Sequence, residues 1–214
     1  MSTHLPVREI AGPAGPLEAL LDETNLPVDD PRRAVVFAHP HPQYGGTMHT
    51  KVVYQAAKAL SRIGCAVLRF NFRCAGASAG AFSEGIGEMD DFRAALDFMQ
   101  RRYPDSRLWA GGFSFGAWIA LAVGAADPRV STLIGIAPPV TMYDFELVRQ
   151  STKPKFFIHG ERDEICPLKQ MREFYARAED PKELVVIDAA DHLFDGKVSE
   201  VAEAIEDLLG DWYA

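Results

Sequence analysis

The sequence predicts an α/β fold: a mostly parallel central sheet with helices on both faces. Three observations carry this. Short apolar runs rich in β-formers recur along the chain. Helical patterns separate them. The runs are nearly continuous rather than alternating, as in strands covered on both faces. A length of 214 residues suits one domain, residues 1–214, around one sizeable core.

The elements follow in order. Residues 17–21 come after a Gly12-Pro13-Ala14-Gly15-Pro16 turn and read as an antiparallel edge strand. Buried strands follow at residues 34–38, 66–70, 107–110, 132–136, 156–159 and 184–187. Residues 52–61 supply a helix. Phe92, Ala95, Met99 and Tyr103 recur at helical spacing after Glu88-Met89-Asp90-Asp91, where negative charge suits a helix N-terminus. Pro167 fits the first turn of a helix running to about Ala178. Val198, Val201, Ala202, Ile205 and Leu209 give the last helix one apolar face.

Composition excludes several classes. The formal charge is −8 and the pI is near 5.2, against the cationic face a nucleic-acid binder needs. Three cysteines, Cys65, Cys74 and Cys166, form neither a disulfide framework nor a metal-like spacing. Residues 1–15 hold no apolar core of a secretory signal. The longest apolar stretch, residues 117–126, is about half of what a bilayer requires. A cytoplasmic protein without nucleic-acid or membrane partners is expected. The oligomeric state is left open.

Gly112-Phe113-Ser114-Phe115-Gly116 has the form G-x-S-x-G. Its context makes it informative, since it follows a strand and opens the helical run at residues 117–121. Such a turn strains the serine backbone and presents its hydroxyl at the top of the sheet. The following helix N-terminus aims amide donors at an oxyanion formed there. A serine hydroxyl is a poor nucleophile at neutral pH, so it needs a base, and the base needs an orienting acid. Asp163 lies just past the strand at residues 156–159, and His192 just past the strand at residues 184–187. Glu161 and Glu164 flank Asp163 as rival acids and read as solvated loop carboxylates. Asp191 reads as a loop or capping residue, and His159 as a packed histidine at a strand end. His4 falls in the N-terminal tail.

His39-Pro40-His41-Pro42-Gln43-Tyr44-Gly45-Gly46-Thr47-Met48 follows the strand at residues 34–38, where a second oxyanion donor is expected. Pro40 and Pro42 have no N–H to donate. The expected donor is the amide of His41, with Gln43 or Tyr44 as second choices. The amide of Phe115 is the other donor. His39, His41 and His49 fall within eleven residues, yet no nearby carboxylate or cysteine completes a zinc site and the prolines restrict the ring directions. No metal is expected.

These motifs together resemble the small, lidless bacterial serine hydrolases of the α/β-hydrolase superfamily, close to the dienelactone-hydrolase-like branch. The resemblance runs from Leu17 nearly to the C-terminus. Besides the elbow and the His-Pro-His-Pro loop, it rests on Asn71-Phe72-Arg73, Gly85-Ile86-Gly87-Glu88, Ala137-Pro138-Pro139-Val140 and Asp191-His192. It implies Ser114 as nucleophile, Asp163 as acid and His192 as base. The chain departs from the group at Cys74, where Gly is usual, and at Leu193 and Asp195, where Phe and His are usual. Dienelactone hydrolases themselves use a cysteine nucleophile, so the serine here argues against that activity.

The expected reaction is hydrolysis of a carboxylic ester on small or short acyl chains, through an acyl-enzyme and without a cofactor. A thioester is the nearest variant. Peptidase, acyltransferase and lyase activities share this machinery, and a non-catalytic binding module is the remaining class. Fewer than twenty residues separate the strand ending at Ile136 from the next, too few for a cap domain. The site is therefore expected to be open. Tyr44, Phe113, Trp118, Tyr143, Phe145 and Leu193 are its candidate walls.

Overall fold

The computed structural model describes residues 6–23, 33–210 and 212. Eight strands form one sheet in the order β1-β2-β4-β3-β5-β6-β7-β8. They are β1 (Glu9–Gly12), β2 (Gly15–Asp22), β3 (Arg33–Ala38), β4 (Cys65–Phe70), β5 (Arg107–Phe113), β6 (Val130–Ile136), β7 (Lys155–Gly160) and β8 (Lys182–Ile187). β1 and β2 pair antiparallel, as do β2 and β4, and the remaining pairs are parallel. Six α-helices accompany them: α1 (Lys51–Arg62), α2 (Ile86–Arg102), α3 (Phe115–Ala126), α4 (Glu146–Gln150), α5 (Leu168–Arg177) and α6 (Val198–Leu209). This is the α/β-hydrolase fold. Among the described residues no helix is long and apolar enough to cross a membrane.

The unbroken apolar strands are explained by two cores, one on each face. Ala34, Val36 and Ala38 of β3 join Phe92 and Met99 of α2 and Ile119 of α3 on one face. Val35 and Phe37 join Val53 and Leu60 of α1 and Val201 and Ile205 of α6 on the other. Alternate residues of one strand thus meet different helices, and every residue of β4 and β7 is buried.

Two expectations need correction. Residues 17–21 lie in an antiparallel strand, β2, but it is not the edge. β1 lies outside it, joined by a hairpin whose two loop residues are Pro13 and Ala14. β1 has four residues, of which only Ile10 is buried, so it carries almost no periodic signal. Pro167 also stands one residue outside α5, as its N-cap. No cap is inserted between β6 and β7. That connection holds only a loop and the five-residue α4.

The strand order positions the site. The chain leaves β3 for β4 on one side, then crosses back through α2 to β5 on the other. The loops after β3 and β5 therefore diverge, which opens a crevice at the carboxyl ends of the two strands.

Candidate active site

Ser114 sits at this crevice, between β5 and α3, with φ 55° and ψ −122°. This backbone region is costly for any residue with a Cβ. It is enforced by close packing. A Cβ on Gly112 would stand 2.4 Å from the Gly116 carbonyl oxygen, and one on Gly116 would stand 2.3 Å from the His39 carbonyl oxygen. The two glycines let strand, helix and the end of β3 touch backbone to backbone. The Ser114 amide donates to the Ile136 carbonyl at 2.9 Å, which ties the turn to β6.

The loops after β7 and β8 bring two further groups to the serine. Ser114 Oγ and His192 Nε2 are 2.8 Å apart, and His192 Nδ1 lies 2.8 Å from Asp163 Oδ2. Asp163 and His192 are both buried. Burial would raise the Asp163 carboxyl, but the His192 hydrogen bond and the Cys166 amide outweigh it and hold the carboxyl below its usual range. The two loops are stitched together. Glu161 N donates to Ile187 O at 3.0 Å and Arg162 N to Ala190 O at 2.8 Å. Gly160 permits this, because a Cβ there would meet the Ala190 carbonyl oxygen at 2.6 Å.

The rivals for these positions are exposed or bonded to other groups. Glu161 is exposed and its Oε2 accepts from the Ala189 amide at 2.8 Å. Glu164 is exposed. Asp191 Oδ1 accepts from the Asp195 amide at 3.0 Å. His159 is buried and its Nε2 donates to the Cys166 carbonyl at 2.7 Å. His4 lies outside the described residues.

The loop after β3 folds on its own carbonyls. Tyr44 and Gly46 both donate to His41 O at 3.1 Å, Gly45 donates to Pro42 O at 3.2 Å, and Gln43 donates to the His41 ring at 3.2 Å. The amides of Gln43 and Tyr44 are thus spent inside the loop. The amides of His41 and Phe115 have no protein acceptor among the described residues.

His39 was legible only as a possible metal ligand, and the structure shows another role. It is fully buried, with Nδ1 2.6 Å from the Pro40 carbonyl oxygen and Nε2 accepting from the Phe72 amide at 3.0 Å. The carbonyl requires a proton on Nδ1 and the amide forbids one on Nε2, so the ring is neutral. Burial pushes its pKa down to about 4, against a smaller opposing effect from the Pro40 carbonyl. The ring clamps the loop to the segment after β4. The far end of the loop is held by Asn71, whose Oδ1 accepts from the Met48 amide at 2.7 Å, and by Arg69, which donates to Met48 O at 2.8 Å.

The resulting cleft has a volume of about 460 Å³. His41 and Tyr44 line it from the loop after β3, Pro139, Met142 and Tyr143 from the loop after β6, Ile165 after β7, and Leu193 after β8. No Asp, Glu, Lys or Arg lines it. Of the candidate walls, Tyr44, Tyr143 and Leu193 line this cleft. Phe145 does not: it is buried in the core, its ring 5.7 Å from that of Phe174. Phe113 is fully buried behind His192, and Trp118 stacks on Tyr143 at 4.0 Å. Met142 and Ile165 escaped the sequence reading because isolated aliphatics in loops carry no periodic signal.

A serine linked through histidine to aspartate, at the carboxyl ends of a mostly parallel sheet, defines an α/β serine hydrolase. Comparison with known proteins agrees. The family described as serine aminopeptidase, S33, matches residues 29–147, more than half of the chain, and the chain belongs to that family. The uncharacterized protein RP471 of Rickettsia prowazekii (strain Madrid E) is 37% identical over 92% of this chain and 86% of its own length. An α/β serine hydrolase homologue from Coxiella burnetii superposes with a TM-score of 0.89 at 35% identity, covering 98% of this chain and 99% of that one. A serine hydrolase without lid from Xanthomonas campestris gives 0.87 at 35% identity, over 97% and 94%. The esterase domain of a Rhodothermus marinus protein gives 0.69 at 26% identity, over 94% of each.

Proposed function

We propose that this chain is a carboxylesterase that hydrolyses small or short-chain acyl esters through a Ser114–His192–Asp163 triad. The observation that carries the reading is the hydrogen-bonded series Ser114 Oγ, His192, Asp163 opening into a cleft lined by no charged side chain. His192 Nε2 takes the Ser114 proton as Oγ attacks the acyl carbon. Asp163 holds the proton on Nδ1 and stabilises the imidazolium. The amides of His41 and Phe115 receive the oxyanion. His192 then protonates the departing alcohol, and water attacks the acyl-enzyme by the same route reversed. These steps call on no cofactor.

The uncharged lining favours esters over aminopeptide substrates, although the family description names an aminopeptidase. A free α-ammonium brought into this cleft needs a carboxylate partner, and unpaired burial of a charge is costly. The esterase domain among the structural relatives points the same way. A thioester meets the same geometry and is the nearest alternative. Sparse thiols, with Cys65, Cys74 and Cys166 all free, suit a reducing cytoplasm.

A fluorophosphonate probe should label Ser114 in the intact protein and leave Ser114→Ala unlabelled. A screen of acyl p-nitrophenyl esters, acyl-CoAs and aminoacyl amides should then give its highest kcat/KM on the oxygen esters. Labelling at another residue, or preference for the amides, would overturn the reading.

A further inference from the structure

Tyr44, Met142, Ile165 and Leu193 are among the large apolar side chains most exposed on the described surface, and all four line the one cleft. They come from four different loops, and the sheet order sorts them. The loop after β3 lies on one flank of the elbow. The loops after β7 and β8 lie on the other, beyond β6. Ile165, 47% exposed, and Leu193, 54% exposed, both belong to that second flank. Each is tied to the proton relay. Leu193 follows His192 in the chain, and the Ile165 amide donates to Asp163 Oδ1 at 2.9 Å.

Stereochemistry assigns what lies there. Around the tetrahedral carbon, the oxyanion points to the His41 and Phe115 amides. The alcohol oxygen must come within hydrogen-bond reach of His192 Nε2, because that nitrogen supplies its proton. The bond from Ser114 Oγ to the acyl carbon forms. The bond from the acyl carbon to the alcohol oxygen breaks, and its electron pair stays on that oxygen as it is protonated. The alcohol's carbon chain therefore leaves across the flank that carries Ile165 and Leu193. Exposed aliphatics that share a ligand-sized cleft suit an apolar ligand group.

We infer that Ile165 and Leu193 select esters of apolar alcohols, giving this enzyme a leaving-group preference separate from its acyl preference. The inference rests on the carboxylesterase reading above.

Ethyl, butyl and hexyl acetate test it by pH-stat, since their alcohols differ little in basicity and all yield the same acetyl-enzyme. A fully covered methylene changes affinity about fourfold. With half-exposed side chains, kcat/KM should rise on the order of tenfold from ethyl to hexyl. In the double variant Ile165→Ser, Leu193→Ser the rise should collapse toward unity. The methyl butyrate to methyl acetate ratio, which reads the acyl side, should persist. A flat series in the unsubstituted enzyme, or an undiminished rise in the variant, overturns the inference while leaving the esterase reading intact. Failure to turn over any ester, with Ser114 unlabelled by fluorophosphonate, overturns both.

Discussion

Asp163 divides its two carboxylate oxygens between two tasks: Oδ2 lies 2.8 Å from His192 Nδ1, while Oδ1 accepts from the amides of Ile165 at 2.9 Å and Cys166 at 2.8 Å. The backbone bonds fix the carboxylate plane, so the oxygen facing His192 has no freedom to turn away. Asp163→Asn keeps the shape but places an amide N–H against Nδ1. The ring proton then moves to Nε2, which faces Ser114 as a donor. Ester kcat should fall roughly 10³- to 10⁴-fold. Asp191→Ala, which removes only a loop cap, should cost less than about tenfold. Steady-state kinetics on one p-nitrophenyl ester decides this, and the reverse ranking would move the acid to Asp191.

The elbow stores strain that can be measured apart from catalysis. Ser114→Ala keeps a Cβ at φ 55° and should fold with the same strain. Ser114→Gly removes it and should be more stable than the Ala variant by about 1 kcal/mol, after allowing for the looser unfolded chain. Gly116→Ala should do the opposite. Its Cβ meets the His39 and Ala38 carbonyls, which are backbone and cannot swing aside. A loss of roughly 3 kcal/mol is expected. Denaturant midpoints of the three variants rank the effects, and equal midpoints for Ser114→Ala and Ser114→Gly would remove the strain argument.

Acid should loosen the loop after β3 before it reaches the Asp163 carboxylate. The His39 pKa falls from 6.5 to about 4 on folding because burial disfavours the charged ring. The unfolded chain therefore binds the extra proton first. The stability this neutral ring contributes is fully present above pH 6.5 and is lost as pH falls toward 4, on the order of 3 kcal/mol in all. His159, lowered by burial, adds in the same direction. The Asp163 contribution is present above the unfolded carboxylate range and fades only at still lower pH, since its folded pKa is lowered. Urea unfolding at pH 7.5, 5.5 and 4.5 should show a steep loss in the unsubstituted protein and a shallower one in His39→Gln. Equal slopes would mean that His39 is not the titrating group.

Acyl-chain length reads the openness of the site. No cap covers the cleft, and Tyr44 stands 87% exposed at its mouth. Each methylene that finds apolar cover adds roughly 0.8 kcal/mol of binding, and carbons beyond the mouth find water instead. Across p-nitrophenyl esters from acetate to palmitate, kcat/KM should peak at about two to six carbons. It should not jump at the solubility limit of the substrate. A maximum at twelve carbons or more would reveal an acyl channel and end the open-site description.

Much of this site was legible because its signals are local. A strand, G-x-S-x-G and a helix lie within one short stretch. Asp163 and His192 each follow a strand within a few residues. Continuous apolar runs alone require cover on both faces, and so predict the layered architecture. The four residues of β1 were too few to show a period, which is why β2 read as the edge.

By itself, then, the sequence pointed to the class of fold, to the order of its elements from β2 onward and to Ser114, Asp163 and His192 as candidates, because each depends on neighbours along the chain. Only the tertiary structure decided how loop side chains divide between core and cleft. His39 and His41 are separated by one proline, yet His39 is buried against an amide 33 residues further along the chain while His41 walls the cleft. Met142 and Phe145 share a loop, yet Phe145 turns inward onto Phe174 and Met142 outward to the site. Side-chain direction in a loop follows no repeat. It is set by which partner from a distant element fills the space, and that partner exists only once the sheet has brought its strands together.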